Sequence, residues 1–123
     1  MPVVSEALLL SLLRGTVDAV VQRDGADMTA RQTAVLLAVY LQDEPQTVRG
    51  LAAALRVSKP AVTRAIDRLA ALELVVRRDD PRDGRSILLQ RTAAGMGYMR
   101  ELGGIMTDVV RSLSPGSAGR LAA

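Results

Sequence analysis

Val57-Ser58-Lys59-Pro60-Ala61-Val62-Thr63-Arg64-Ala65-Ile66-Asp67-Arg68-Leu69 is the stretch on which the fold turns. Serine caps helix N-termini through its hydroxyl, and Pro60 falls in the first turn, where a missing amide hydrogen costs nothing. Val62, Ile66 and Leu69, with Ala65 beside them, recur at helical spacing and form one inward stripe. That leaves Lys59, Pro60, Thr63, Arg64, Asp67 and Arg68 facing outward on a helix that runs from Ser58 to about Leu72.

Immediately upstream, Thr47 is placed to cap a short helix, Val48 to Arg56, with Leu51, Ala52 and Leu55 inward, and Val57-Ser58 makes a tight break. Two helices with so short a connection form a helix-turn-helix. Further upstream, Thr29-Ala30-Arg31-Gln32 fits a capping box. The helix it opens turns Val35, Leu36, Val39 and Tyr40 inward and ends near Gln42, before Asp43-Glu44-Pro45. Residues Ser5 to Gln22 read as a helix with Leu9, Leu13, Val17 and Val20 in one stripe, widened by Leu8, Leu12 and Val21. This is more apolar surface than a small monomer needs to hide, so a partner helix is expected.

Downstream the pattern changes. Leu74-Val75-Val76-Arg77-Arg78 and Ser86-Ile87-Leu88-Leu89-Gln90 are strand-like and bracket a polar loop, Asp79 to Arg85, in which Pro81 and Asp83-Gly84 supply turn chemistry. Thr92 then caps a last long helix to about Leu113, with Met99, Leu102, Ile105, Met106, Val109 and Val110 as apolar positions, and Ser114-Pro115 can start another helix, with eight residues following Pro115. The expected fold is mainly α with a small β-hairpin, a winged helix-turn-helix flanked by N- and C-terminal helices. It forms a single domain, 1–123, with the winged helix-turn-helix lobe at 29–91 and terminal helices at 5–22 and 92–123.

Composition narrows the chemistry. The chain has 123 residues, 49% of them hydrophobic, with no cysteine and no histidine. Thiol redox chemistry, Ser-His-Asp and Cys-His catalysis are therefore excluded, and zinc would need carboxylates alone. No motif pairs the carboxylates around a substrate, so neither an enzyme nor a cofactor is expected. The N-terminal leucines are interrupted by Glu6, Arg14 and Asp18, no stretch reaches the length that spans a bilayer, and a cytoplasmic protein without a membrane partner is expected. The net charge of +3 is unevenly spread. Ten Lys/Arg face five Asp/Glu between Thr47 and Arg91, a local balance of +5, and the rest of the chain carries −2. Such segregation suits a polyanion.

The outward residues of the Ser58 helix are suited to a DNA major groove: Arg64 to a guanine, Thr63 or Pro60 to a thymine methyl, and Ser58 and Lys59 to phosphates. Arg68 lies on the same face, and Arg82 and Arg85 on the hairpin tip suit a narrow minor groove. Each charge alone reads equally as a solvated surface, and the combination is the more specific signal. Arg49 and Arg56 read slightly better as solvated surface than as phosphate contacts. Asp79, Asp80 and Asp83 either hold neighbouring arginines or simply form the turn. Tyr40 and Tyr98 line a pocket or, more commonly for tyrosine, belong to the core.

Thr29-Ala30-Arg31-Gln32, Leu51-Ala52-Ala53-Ala54-Leu55, Val57 through Arg64, Asp67-Arg68-Leu69, Asp80-Pro81-Arg82-Asp83-Gly84-Arg85-Ser86 and Thr92-Ala93-Ala94-Gly95 together resemble the MarR family of bacterial transcription regulators, over roughly residues 29–95. The resemblance implies a homodimer joined through dimerisation helices at 5–22 and 92–123, a DNA-binding lobe at 29–91, double-stranded DNA with a pseudo-palindromic operator as partner, and usually repression. It implies DNA contacts by Ser58, Lys59, Pro60, Thr63 and Arg64, with Arg85 near the minor groove. It also implies release by a small, often phenolic or lipophilic, anionic effector. Family members that sense oxidants through cysteine or bind zinc through histidine are not models for this chain. The chain is shorter than the family pattern after Ser114-Pro115, where a closing helix usually follows. The competing reading is a winged-helix protein–protein interaction module that does not bind DNA.

Overall fold

The computed structural model describes residues 4–113, and the start expected at Ser114-Pro115 lies outside the described residues. Five helices and three strands follow in the order α1 (Glu6–Gln22), α2 (Ala30–Leu41), β1 (Gln46–Thr47), α3 (Val48–Leu55), α4 (Lys59–Ala71), β2 (Val75–Asp80), β3 (Asp83–Arg91) and α5 (Ala93–Ser112). They divide into two compact units, one of residues 28–99 and one of residues 4–27 with 100–113.

In the 28–99 unit, local sequence chemistry sets each helix start. The Thr29 hydroxyl accepts from the Gln32 amide at 3.1 Å, and the Gln32 side chain accepts from the Thr29 amide at 3.0 Å, completing the capping box. Thr47 Oγ1 caps α3 by accepting from the Gly50 amide, and Ser58 Oγ caps α4 by accepting from Ala61. Between them Arg56 ends α3 in the left-handed region, φ 56°, which turns the chain sharply enough for α4 to follow three residues later. The inward stripes then converge. Val35, Leu36, Leu51, Val62, Ile66, Leu69 and Val75 are fully buried, and Val39, Ala65 and Leu89 complete the centre.

The sheet is longer and wider than the sequence reading. Its order is β1-β3-β2, all antiparallel, with Gln46 opposite Leu89 and Thr47 opposite Leu88. The expected seven-residue loop shrinks to a turn at Pro81-Arg82, because Asp79 pairs with Ile87 and, after an irregularity, Asp80 with Asp83. At the base of this hairpin the Tyr40 hydroxyl donates to the Leu74 carbonyl at 2.6 Å and accepts from the Thr92 amide at 3.0 Å. Tyr40 is thus a core tyrosine with a satisfied hydroxyl, and Tyr98 packs half-buried against the same core. Thr92 Oγ1 accepts from the Gly95 amide, which caps α5, and donates to the Glu73 carbonyl.

In the other unit, α1 meets α5 where Gly15 approaches Val109 and where Arg23 pairs with Glu101 at 2.6 Å. From Gly15 to Arg23 the chain advances as far as it retreats from Val109 to Glu101, so the helices run antiparallel. The half-buried side of α1 is Leu8, Leu12, Gly15, Thr16 and Ala19 with Val20. Leu9, Leu13 and Val17, the centre of the stripe read from sequence, lie outside at 51%, 58% and 49% exposure. The physical reason is close approach: small residues let the two backbones near each other, and the larger ones are left on the other flank. A Cβ on Gly15 would sit 2.6 Å from Val109 Cγ1, and valine has little rotamer freedom to yield. Gly15→Leu is therefore expected to lower the stability of this unit by about 1–3 kcal/mol despite leucine's better helix propensity, seen as an earlier thermal transition. Among the described residues no helix is long and apolar enough to cross a membrane.

Candidate nucleic-acid interface

All eight sequence-selected residues, Ser58, Lys59, Pro60, Thr63, Arg64, Arg68, Arg82 and Arg85, are exposed. Ser58, Lys59 and Pro60 form the start of α4, and Thr63, Arg64 and Arg68 continue along its outer side, opposite the buried Val62, Ile66 and Leu69. Arg82 sits in the hairpin turn and Arg85 early in β3.

The tip is shaped by its acids, in the turn-forming manner. Asp80 Oδ1 accepts from the Arg82 backbone amide at 2.9 Å, and Asp83 Oδ1 accepts from the Arg85 amide at 3.0 Å. The alternative in which these acids clamp arginine side chains is not what the structure shows: among the described residues, the ion pairs are Arg14–Asp18, Arg23–Glu101 and Arg77–Asp67. A short carboxylate reaches a backbone amide two residues ahead more readily than a long, hydrated guanidinium. The arginine heads at the tip therefore stay unengaged by these carboxylates.

A cleft of about 190 Å³ opens where α3, α4 and β3 converge, lined by Arg49, Lys59, Thr63, Arg77, Arg85 and Ser86 among others. It brings together Lys59, Thr63 and Arg85; Ser58, Pro60, Arg64, Arg68 and Arg82 lie outside it. The β1–β3 pairing explains the convergence. Thr47 is hydrogen-bonded into the sheet beside Leu88 and at the same time caps α3, so the first turn of α3, with Arg49, is held against the wing.

Two of the lining cations were not among the selected residues. Arg49, read as solvated surface, is exposed and also faces this cleft. Arg77 was not singled out; its guanidinium pairs with Asp67 and reaches the Thr63 carbonyl at 3.5 Å, tying β2 to α4. The signal for Arg77 was strand alternation, since the buried Val75 puts residue 77 on the same, helix-facing side of β2.

A second hollow, about 250 Å³, lies between the end of α2 and β3. Its cation is committed: Arg91 donates from Nε to the Val39 carbonyl and from Nη2 to the Gln42 carbonyl, both at 2.8 Å, and stacks over the Tyr40 ring at 5.7 Å. These bonds satisfy the last carbonyls of α2. Among the described residues no group of three or more carboxylates is placed to hold a metal ion.

A capped helix pair, a second helix with a polar outer face and an arginine-tipped hairpin tethered by a third strand make the 28–99 unit a winged helix-turn-helix. Residues 26–86 match the model of the MarR family, and the chain belongs to that family. Among solved structures, the chain is similar to the S. aureus MepR–DNA complex, with TM-score 0.68 and 22% identity over 82% of this chain and 81% of that one. It is similar to the transcriptional regulator Tm0710 from Thermotoga maritima, with TM-score 0.65 and 20% identity over 94% of this chain and 78% of that one. A mutant of MarR from E. coli aligns with TM-score 0.62 and 22% identity over 99% and 94% of the two chains. These likenesses establish a common fold. No curated protein matches the sequence significantly.

Proposed function

We propose that this chain is a homodimeric DNA-binding transcription regulator that represses from a pseudo-palindromic operator and is released by a small lipophilic anion. The observation that carries the reading is the joint exposure of the outer face of α4 and of the wing arginines, with Lys59, Thr63 and Arg85 meeting at one basic cleft. In this reading α4 lies in the major groove, with Arg64 on a base edge and Ser58 and Lys59 on phosphates, and Arg82 and Arg85 follow the adjacent minor groove. It is a binding protein of the cytoplasm rather than an enzyme. The solved structure of a MepR–DNA complex with this fold supports the assignment.

Dimerisation is assigned to the terminal helices, residues 5–22 and the described part of 92–123. Leu9, Leu10, Leu13, Val17 and Val21 of α1, with Met106 and Val110 of α5, are large apolar side chains left between 39% and 66% exposed. A patch of this kind marks an interaction surface on a monomer of this size.

The test is binding to the DNA upstream of the chain's own gene. Arg64→Ala is expected to relax base preference at one position per half-site, by roughly 10- to 100-fold in discrimination. Lys59→Ala is expected to weaken binding to all sequences alike and flatten its salt dependence. Absence of salt-sensitive binding, together with recovery of a stoichiometric protein partner, would instead establish the protein-interaction module.

A further inference from the structure

We propose that the cleft between α3, α4 and β3 is a preformed seat for a single backbone phosphate of duplex DNA, shared by Arg49 and Lys59, with Arg85 at its rim. The inference rests on the DNA-binding reading above and deepens it, by naming a phosphate contact on α3 that ties the groove-reading helix to the wing.

Charge is the first reason. Four cations, Arg49, Lys59, Arg77 and Arg85, line a space of about 190 Å³, and no carboxylate lines it. Asp67 balances Arg77 alone. Among the described residues, the side chains of Arg49, Lys59 and Arg85 have no ion pair or hydrogen bond. Three unbalanced like charges around one hollow repel each other until an anion enters.

Helix geometry is the second. Arg49 stands in the first turn of α3 and Lys59 opens α4, so the first turns of two helices border the same cleft, where the helix dipoles favour negative charge. Thr63 of α4 and Ser86 of β3 also line it. Room is the third. A water takes about 30 Å³ of liquid, so the cleft accommodates a phosphate group without rearrangement.

Location selects DNA as the source of that phosphate. The cleft lies between the helix assigned to the major groove and the wing assigned to the minor groove, and the strand separating those grooves passes there. The hollow beside Arg91 differs, because that guanidinium is spent on the Val39 carbonyl of α2 and the Gln42 carbonyl that follows the helix.

The experiment is a fluorescence-anisotropy titration of the full chain with a fluorescein-labelled random-sequence duplex between 50 and 200 mM NaCl. Arg49→Gln is expected to weaken binding about tenfold, and Arg49→Lys to restore most of it. Arg31→Gln, on the exposed start of α2 and away from the cleft, is expected to match wild type. The decisive number is the slope of log K against log salt for Arg49→Gln/Lys59→Gln. For each DNA-bound protomer, one shared phosphate lowers its magnitude by about 0.9 (about 1.8 for a dimer with both heads engaged), whereas two separate phosphates lower it by about 1.8 (about 3.6 for the dimer). A loss of about 1.8 per bound protomer, or an Arg49→Gln variant indistinguishable from wild type, overturns the shared seat and leaves DNA binding intact. A wild-type chain that shows no salt-dependent binding overturns the DNA-binding reading itself.

Discussion

Gly95→Ala is expected to cost about 3 kcal/mol or more, a large share of the roughly 5–15 kcal/mol that holds a domain folded. A Cβ built at position 95 would lie 1.6 Å from Tyr40 Oη and 2.5 Å from the Leu74 carbonyl oxygen. Neither neighbour can yield. The Tyr40 hydroxyl is held by its bonds to Leu74 and Thr92, and the carbonyl belongs to the backbone that enters β2. Displacing the phenol would leave a buried carbonyl and an amide without partners, each worth about 1–3 kcal/mol, on top of the steric cost. Alanine's better helix propensity, about 1 kcal/mol, is too small to offset this. Urea unfolding followed by circular dichroism reads the loss. Tyr40→Phe is the companion measurement: it keeps the ring and removes only the hydroxyl, so it isolates the polar part, about 1–3 kcal/mol. A Gly95→Ala protein as stable as wild type would mean that α5 is not seated on Tyr40 as described.

Leu13→Glu is expected to split the proposed dimer and, through it, abolish the proposed tight operator binding. Leu13 is 58% exposed on the outer flank of α1, between Leu9 and Val17. It contributes little to the fold of its own chain, so the substitution is expected to leave the monomer folded. At a subunit interface a carboxylate would have to be desolvated without a partner, which costs several kcal/mol. Sedimentation is expected to show a monomer at concentrations where wild type is a dimer. Loss of the second reading head then removes the gain from linked binding, roughly 10²- to 10⁴-fold, while affinity for an isolated half-site changes little. A Leu13→Glu variant that remains dimeric would move the interface off this flank of α1.

How far the sequence carried this picture depends on how local each signal is. The capping box at Thr29 and Gln32, the Ser58 cap and the Val62-Ile66-Leu69 stripe are written within a few residues, and all appear as read. Strand β1 was not legible: Gln46 and Thr47 form it by pairing with Leu89 and Leu88, far along the chain. The same holds for Arg91, whose grip on α2 joins residues 52 and 49 positions apart. On α1 the apolar pattern was visible but not its orientation, because hydrophobicity alone does not say that Gly15 lies against α5 and the leucines away from it. At the candidate interface the residue types were legible one by one. That Arg49 joins Lys59 and Arg85 at one cleft follows only from the β1 tether.

The strand order β1-β3-β2 also has a consequence for how the molecule behaves in a crowd. With β3 in the middle, β2 keeps one flank unpaired along Val75–Asp80, and an open strand edge is a template on which another chain can extend a sheet. Four consecutive charges, Arg77-Arg78-Asp79-Asp80, occupy most of that edge, and Pro81, which has no amide hydrogen to donate, follows it at the turn. A strand arriving there must desolvate two cations and two anions to gain its hydrogen bonds. The wing therefore guards its own border against fibre-like association.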